Sequence, residues 1–162
     1  MYNSPRSLKK YILLQKSKLQ YKKLYTGLHG NLDPDLHIAE AAGWLKRAQD
    51  SGEDRGVSYG AHLSGDFLPS YPETTGYIIP TFLLLADFFQ DKDYFHRAEE
   101  MGDWEIAIQM KSGAVMGGRA DTLPTPAVFN TGMVVLGWLS LYEATQNGLY
   151  LDAAEKADRK ST

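Results

Sequence analysis

Three carboxylates stand in Gly- and Pro-rich stretches that a ligand can reach: Asp66, Glu73 and Asp121. Tyr59, His62 and Tyr71 accompany the first two, while Arg119, Phe129 and Asn130 accompany the third. This mixture suits a sugar. Aromatic rings stack on the apolar faces of pyranose rings, and carboxylates and arginine hydrogen-bond hydroxyls or acidic groups. Glycoside hydrolysis uses two carboxylates roughly 5 to 9 Å apart, so Glu73 with Asp66 or Asp121 is the candidate catalytic set. Spacing along the chain does not give that distance. Each residue also has a plainer reading. Glu73 precedes an apolar helix, where the dipole favours negative charge, and it or Thr74 can serve as a helix cap. Asp66 and Asp121 are good turn formers. His62 is either a general base near neutral pH or a solvated loop residue.

Other chemistries lack their residues. With no cysteine, thiolate metal sites, disulfides and cysteine nucleophiles are excluded. The four histidines, His29, His37, His62 and His96, have no metal-ligand spacing, and no metal or other cofactor is expected. Gly117-Gly118 is not followed by the Lys-Ser/Thr of a phosphate loop. Trp44 and Trp104 read as packing residues.

The elements that must position the candidate residues repeat. Thr75-Gly76 opens an apolar helix to Phe89, a polar turn follows, and Tyr94 begins a second, amphipathic helix. Thr131-Gly132 opens a matching apolar helix to Ala144 and Tyr150 begins its partner, with Thr75, Leu83, Gln90 and Tyr94 returning 56 residues later as Thr131, Leu139, Gln146 and Tyr150. The preceding half-unit recurs too. Trp44 and Gln49 return as Trp104 and Gln109, Ser51-Gly52 as Ser112-Gly113, and Val57 as Val115. Units of two helices stack to bury shared faces. One helix of each pair is apolar nearly all round and the other mixed, which predicts an inner and an outer layer. The loops before the inner helices, residues 59–75 and 117–131, then rim one end of a central cavity.

The chain of 162 residues is long enough for one domain with a real core. Charge divides it: residues 1–32 hold seven Lys/Arg and no acid, whereas residues 33–162 hold ten against twenty Asp/Glu. An acidic body argues against nucleic acid as a partner. The basic segment 1–32 is expected to be a helix packing on the body with a solvated face, rather than a membrane arm. The longest apolar windows fall short of a signal-peptide core or a spanning helix, so a cytoplasmic protein is expected.

The strings Trp44–Asp50, Gly56–Gly60, Ser70–Thr81 and Phe129–Gly132 resemble an α/α-toroid family of six-hairpin glycosidase and terpenoid-cyclase-like architecture. Its members are often encoded beside bacterial exopolysaccharide biosynthesis proteins. The resemblance spans about residues 35–162 and implies an all-α fold with a carbohydrate-linked role, while carrying no assigned reaction. A closed ring takes about six such hairpins, and this chain holds about three. The expectation is therefore a half toroid over residues 33–162 that self-associates and binds or processes an oligosaccharide or polysaccharide at its loop end. A non-catalytic helical-repeat scaffold is the competing expectation.

Overall fold

The computed structural model describes Lys16 and residues 33–158. The expected packing of the basic segment 1–32 thus lies outside the described residues. The described chain is predominantly helical. Its elements are α1 (Pro34–Asp50), α2 (Pro72–Phe89), α3 (Lys92–Ile108), β1 (Met116–Gly117), β2 (Thr125–Pro126), α4 (Val128–Thr145) and α5 (Gly148–Asp158). The two short strands form an antiparallel ribbon within the second long loop.

Local chemistry sets the boundaries. Asp33 and Asp91 cap α1 and α3 by accepting from the backbone N–H two residues on, each at 3.0 Å. Asp91 and Asp93, expected in an exposed turn, are therefore the cap and first turn of α3. Proline at the first position lets α2 start at Pro72, three residues before the expected Thr75. Both α2 and α4 end on a glutamine in the left-handed region, Gln90 at φ 51° and Gln146 at φ 58°.

Helices α2 and α4 pack directly on each other, with α3 against both and α5 against α4 and α3. Ile79, Phe82, Val134, Trp138 and Leu141 are all completely buried. The Trp138 indole N–H donates to the Gly102 carbonyl at 3.2 Å, tying α4 to α3. Trp104 is buried as expected, but Trp44 is 43% exposed and meets the Phe67 ring at 5.9 Å.

The repeat is carried by hydrogen bonds as well as by pattern. Thr75 Oγ1 donates to Tyr71 O and accepts from the Val57 N–H, both at 2.9 Å. Thr131 Oγ1 donates to Ala127 O at 2.8 Å and accepts from the Val115 N–H at 2.9 Å. Each threonine thus fastens the preceding loop to the first turn of its helix. The glutamines match equally well. Gln49 Nε2 donates to Arg55 O and Arg97 O, at 3.2 and 3.1 Å, and Gln109 Nε2 donates to Gly113 O and Ala153 O, both at 2.9 Å. Each acceptor oxygen also takes a cation, Arg97 on Gln49 Oε1 and Lys156 on Gln109 Oε1, although these two cations stand at different places in the repeat.

Gln49 is nearly fully buried, so Gln49→Ala strands two carbonyls and opens a hole. The expected loss is about 2 kcal/mol, read as a lower denaturant midpoint at unchanged slope. Gln109, less buried, should lose less under the same substitution. Equal and negligible losses would show these glutamines to be dispensable.

Candidate functional site

The loop of residues 51–71 folds back on itself as an irregular hairpin. Tyr59 N donates to Pro69 O at 3.0 Å, Leu68 N to Gly60 O at 2.8 Å, and Tyr71 N to Val57 O at 2.9 Å. The second loop docks on it through Ala120 N to Ser70 O at 2.8 Å. Both loops are thereby brought to the N-terminal ends of α2 and α4.

Four of the candidate residues meet there. The Tyr71 hydroxyl donates to Glu73 Oε2 at 2.9 Å, and the Tyr59 ring meets Tyr71 edge-on with centroids 5.1 Å apart. Asn130, in the first turn of α4, lies against the Tyr71 phenol. Its amide pulls the phenol toward ionisation. Burial and the Glu73 carboxylate outweigh it, holding Tyr71 above its ordinary pKa. Asn130 is only 6% exposed, yet its Nδ2 reaches no acceptor in hydrogen-bond geometry. The amide nitrogen is closed to solvent and lies beside the Tyr71 phenol, which it helps to position. Tyr59 and Phe129 expose their rings at 55% and 64%. The cluster therefore offers a hydrogen-bond acceptor and exposed aromatic faces, with the buried Asn130 amide behind them.

The remaining candidates make their contacts elsewhere. His62 sits at the hairpin tip, its backbone N–H donating to Asp66 O at 2.8 Å, and Asp66 accepts from Ser64 Oγ at 2.7 Å. Arg119 pairs with Asp121 at 3.0 Å on the second loop. Each of the three carboxylates is thus engaged locally: Glu73 by a tyrosine, Asp66 by a serine, Asp121 by an arginine. Neither Glu73 nor Thr74 is the N-cap of α2, a position held by Tyr71 without a side-chain cap. No group of His, Asp and Glu able to hold a metal occurs among the described residues, nor does any helix long and apolar enough to cross a membrane.

Sequence reasoning passed over one titratable group. Glu105 on α3 is completely buried, and neither carboxyl oxygen has a partner. Burial first, and the nearby Asp54 carboxylate second, raise its pKa well above the ordinary value. The repeat register held the signal, since the equivalent position on α1 is Leu45. Comparison with known proteins finds no matching protein-family model, no matching curated protein and no matching solved structure.

Proposed function

We propose that this chain is a saccharide-binding module, a partial α/α toroid of about three hairpins whose loop end holds one or more sugar residues of an oligosaccharide or polysaccharide. The observation that carries the reading is the Tyr59–Tyr71–Glu73–Asn130 cluster, in which Glu73 and Asn130 hold the Tyr71 phenol beside the exposed Tyr59 ring. Glu73 accepts from a sugar hydroxyl, the exposed Tyr59 and Phe129 rings stack on the sugar, and the buried Asn130 amide holds Tyr71 in place behind them. The resemblance to the exopolysaccharide-associated toroid family supports the substrate class and a role in bacterial polysaccharide metabolism. Binding rather than hydrolysis is favoured, because Glu73, Asp66 and Asp121 each serve a different local partner.

Calorimetric titration with neutral and uronic-acid oligosaccharides tests this. Neutral sugars should bind more tightly, since a uronate meets the negative Glu73. Tyr59→Ala should weaken binding by about tenfold, the loss of one stacking contact worth roughly 1.4 kcal/mol. Glu73→Gln should lower the preference for neutral over acidic sugars. Absence of binding to every glycan, with the fold intact, refutes the proposal.

A second reading, a self-associating scaffold, rests on a separate observation. Leu84 and Phe88, one turn apart on α2, and Leu136 and Leu139 on α4 are exposed large apolar side chains, and where such residues form one patch it marks an interaction surface. Sedimentation with Leu84→Lys distinguishes the two readings: a scaffold loses its assembly, whereas a monomeric binder is unaffected.

A further inference from the structure

The exposed apolar residues of α2 and α4 correspond, through the repeat, to the two sides of a contact the chain already makes. Within the chain the two helices meet at their glycines. A Cβ on Gly76 would lie 2.8 Å from Met133 O, and one on Gly137 would lie 2.8 Å from Ile79 Cδ1. The α2 side of this contact is therefore the face of Gly76 and Ile79, which helical spacing continues through Pro80 and Leu83. The α4 side is the face of Met133 and Gly137. The offset of 56 carries each face onto the other helix.

Gly76, Ile79, Pro80 and Leu83 return on α4 as Gly132, Val135, Leu136 and Leu139. There the face is open: Leu136 is 48% and Leu139 39% exposed. Among the described residues, a Cβ on Gly132 would meet nothing within 4 Å. Glycine inside a helix weakens it. At Gly76 a close neighbour requires it, and Gly132 keeps it with no such neighbour in view. In the other direction, Met133 and Gly137 correspond to Tyr77 and Thr81 on α2, and helical spacing continues that stripe through Leu84 and Phe88. These four are exposed, Leu84 to 71%. At about 100° per residue, the open stripe of each helix stands about a third of a turn from its face in the α2–α4 contact. The remaining third holds Phe82 and Leu85 on α2, and Trp138 and Leu141 on α4, all buried in the core. The two open stripes thus flank the helix pair as its two ends.

We propose that a second copy of this chain docks its Tyr77, Thr81, Leu84 and Phe88 stripe on the Gly132, Val135, Leu136 and Leu139 stripe of the first, repeating between molecules the contact that α2 and α4 make within one. Thr81 of the second copy then takes the place over Gly132 and Val135 that Gly137 holds over Gly76 and Ile79. A second copy is the occupant because this chain supplies both halves, each in the register of an existing contact. The two patches differ, so copies add head to tail rather than about a two-fold axis through one shared patch. The proposal rests on the scaffold reading for its premise of self-association, and it shares no residue with the Tyr59–Tyr71–Glu73–Asn130 cluster.

Mixing two variants of the full chain tests this two-patch geometry. The parent should assemble with rising concentration in sedimentation. Leu84→Lys spoils the α2 stripe and Leu136→Lys the α4 stripe, so each variant alone should sediment as a monomer, with a thermal transition confirming that it is folded. Mixed in equal amounts they should form a dimer and nothing larger, since one brings an intact α4 stripe and the other an intact α2 stripe. A folded variant that assembles as the parent does, or a mixture that stays monomeric while the parent assembles, overturns the head-to-tail contact and leaves the scaffold reading standing. A parent that is monomeric at every concentration overturns both. Residues 1–32, which lie outside the described residues, are the rival occupant of the α2 stripe. A monomeric parent whose unfolding temperature falls with Leu84→Lys but not with Leu136→Lys assigns the stripe to them and overturns the proposal.

Discussion

Glu105→Leu is expected to stabilise the protein at neutral pH, and the gain should widen by about 1.4 kcal/mol for each further pH unit. A completely buried carboxyl with no hydrogen-bond partner must hold its proton in the folded chain. Its pKa is raised by burial and by Asp54, whereas in the unfolded chain it returns to about 4.3. Below that value both states are protonated, and the group contributes no pH dependence. Above it the unfolded chain releases a proton that the folded chain retains. Unfolding is then favoured by about 1.4 kcal/mol for each pH unit, up to the folded pKa.

Leucine removes that slope and the desolvation cost together, at a position where the other copy of the repeat already carries Leu45. Glutamine is the informative control. It abolishes the titration but leaves a buried amide unpaired, so it should flatten the pH profile while recovering less stability. Denaturant unfolding of the three proteins between pH 4 and 8 reads the result. A variant less stable than the parent, or a difference that stays constant with pH, would refute the assignment of a neutral buried Glu105.

The features legible in the sequence were those that repeat. Helical periodicity and the returning Thr, Gln, Trp and Tyr positions located the helical pairs, and the side chains of Thr75, Thr131, Gln49 and Gln109 make matching bonds. Helix starts were misplaced by three residues because Pro72 nucleates α2 ahead of Thr75, and Val128 opens α4 in the same register. The two tryptophans diverged because burial depends on what packs opposite: Trp104 finds the bare Gly56 backbone, while Trp44 has the Phe67 ring against it. Within the candidate site, residue types were readable but pairings were not. No spacing rule distinguishes a carboxylate held by Tyr71 from one spent on Ser64 or Arg119. The burial of Asn130 is likewise a product of tertiary approach between the ends of two helices.

That approach can be tested at its tightest point, where Gly76→Ala or Gly137→Ala should cost about 3 kcal/mol or more. A Cβ on Gly137 would lie 2.5 Å from the Gly76 carbonyl oxygen, and one on Gly76 would lie 2.7 Å from Val134 Cα. The atoms struck are backbone, so no side-chain rotation relieves the contact, and α2 and α4 must separate. Pro80 explains why the carbonyl is there to be met. Having no N–H, it leaves Gly76 O without its helical donor four residues on. A residue with a Cβ cannot approach that oxygen this closely, whereas a glycine Cα–H can, and a weak C–H···O contact is the interaction open to it in place of the missing bond. Pro80→Ala restores a donor to the helix, so it should lessen the need for Gly137. In a double-mutant cycle the Gly137→Ala penalty should then be smaller on the Pro80→Ala background. Additive penalties would show that steric closeness alone, and not the stranded carbonyl, requires glycine at this helix crossing.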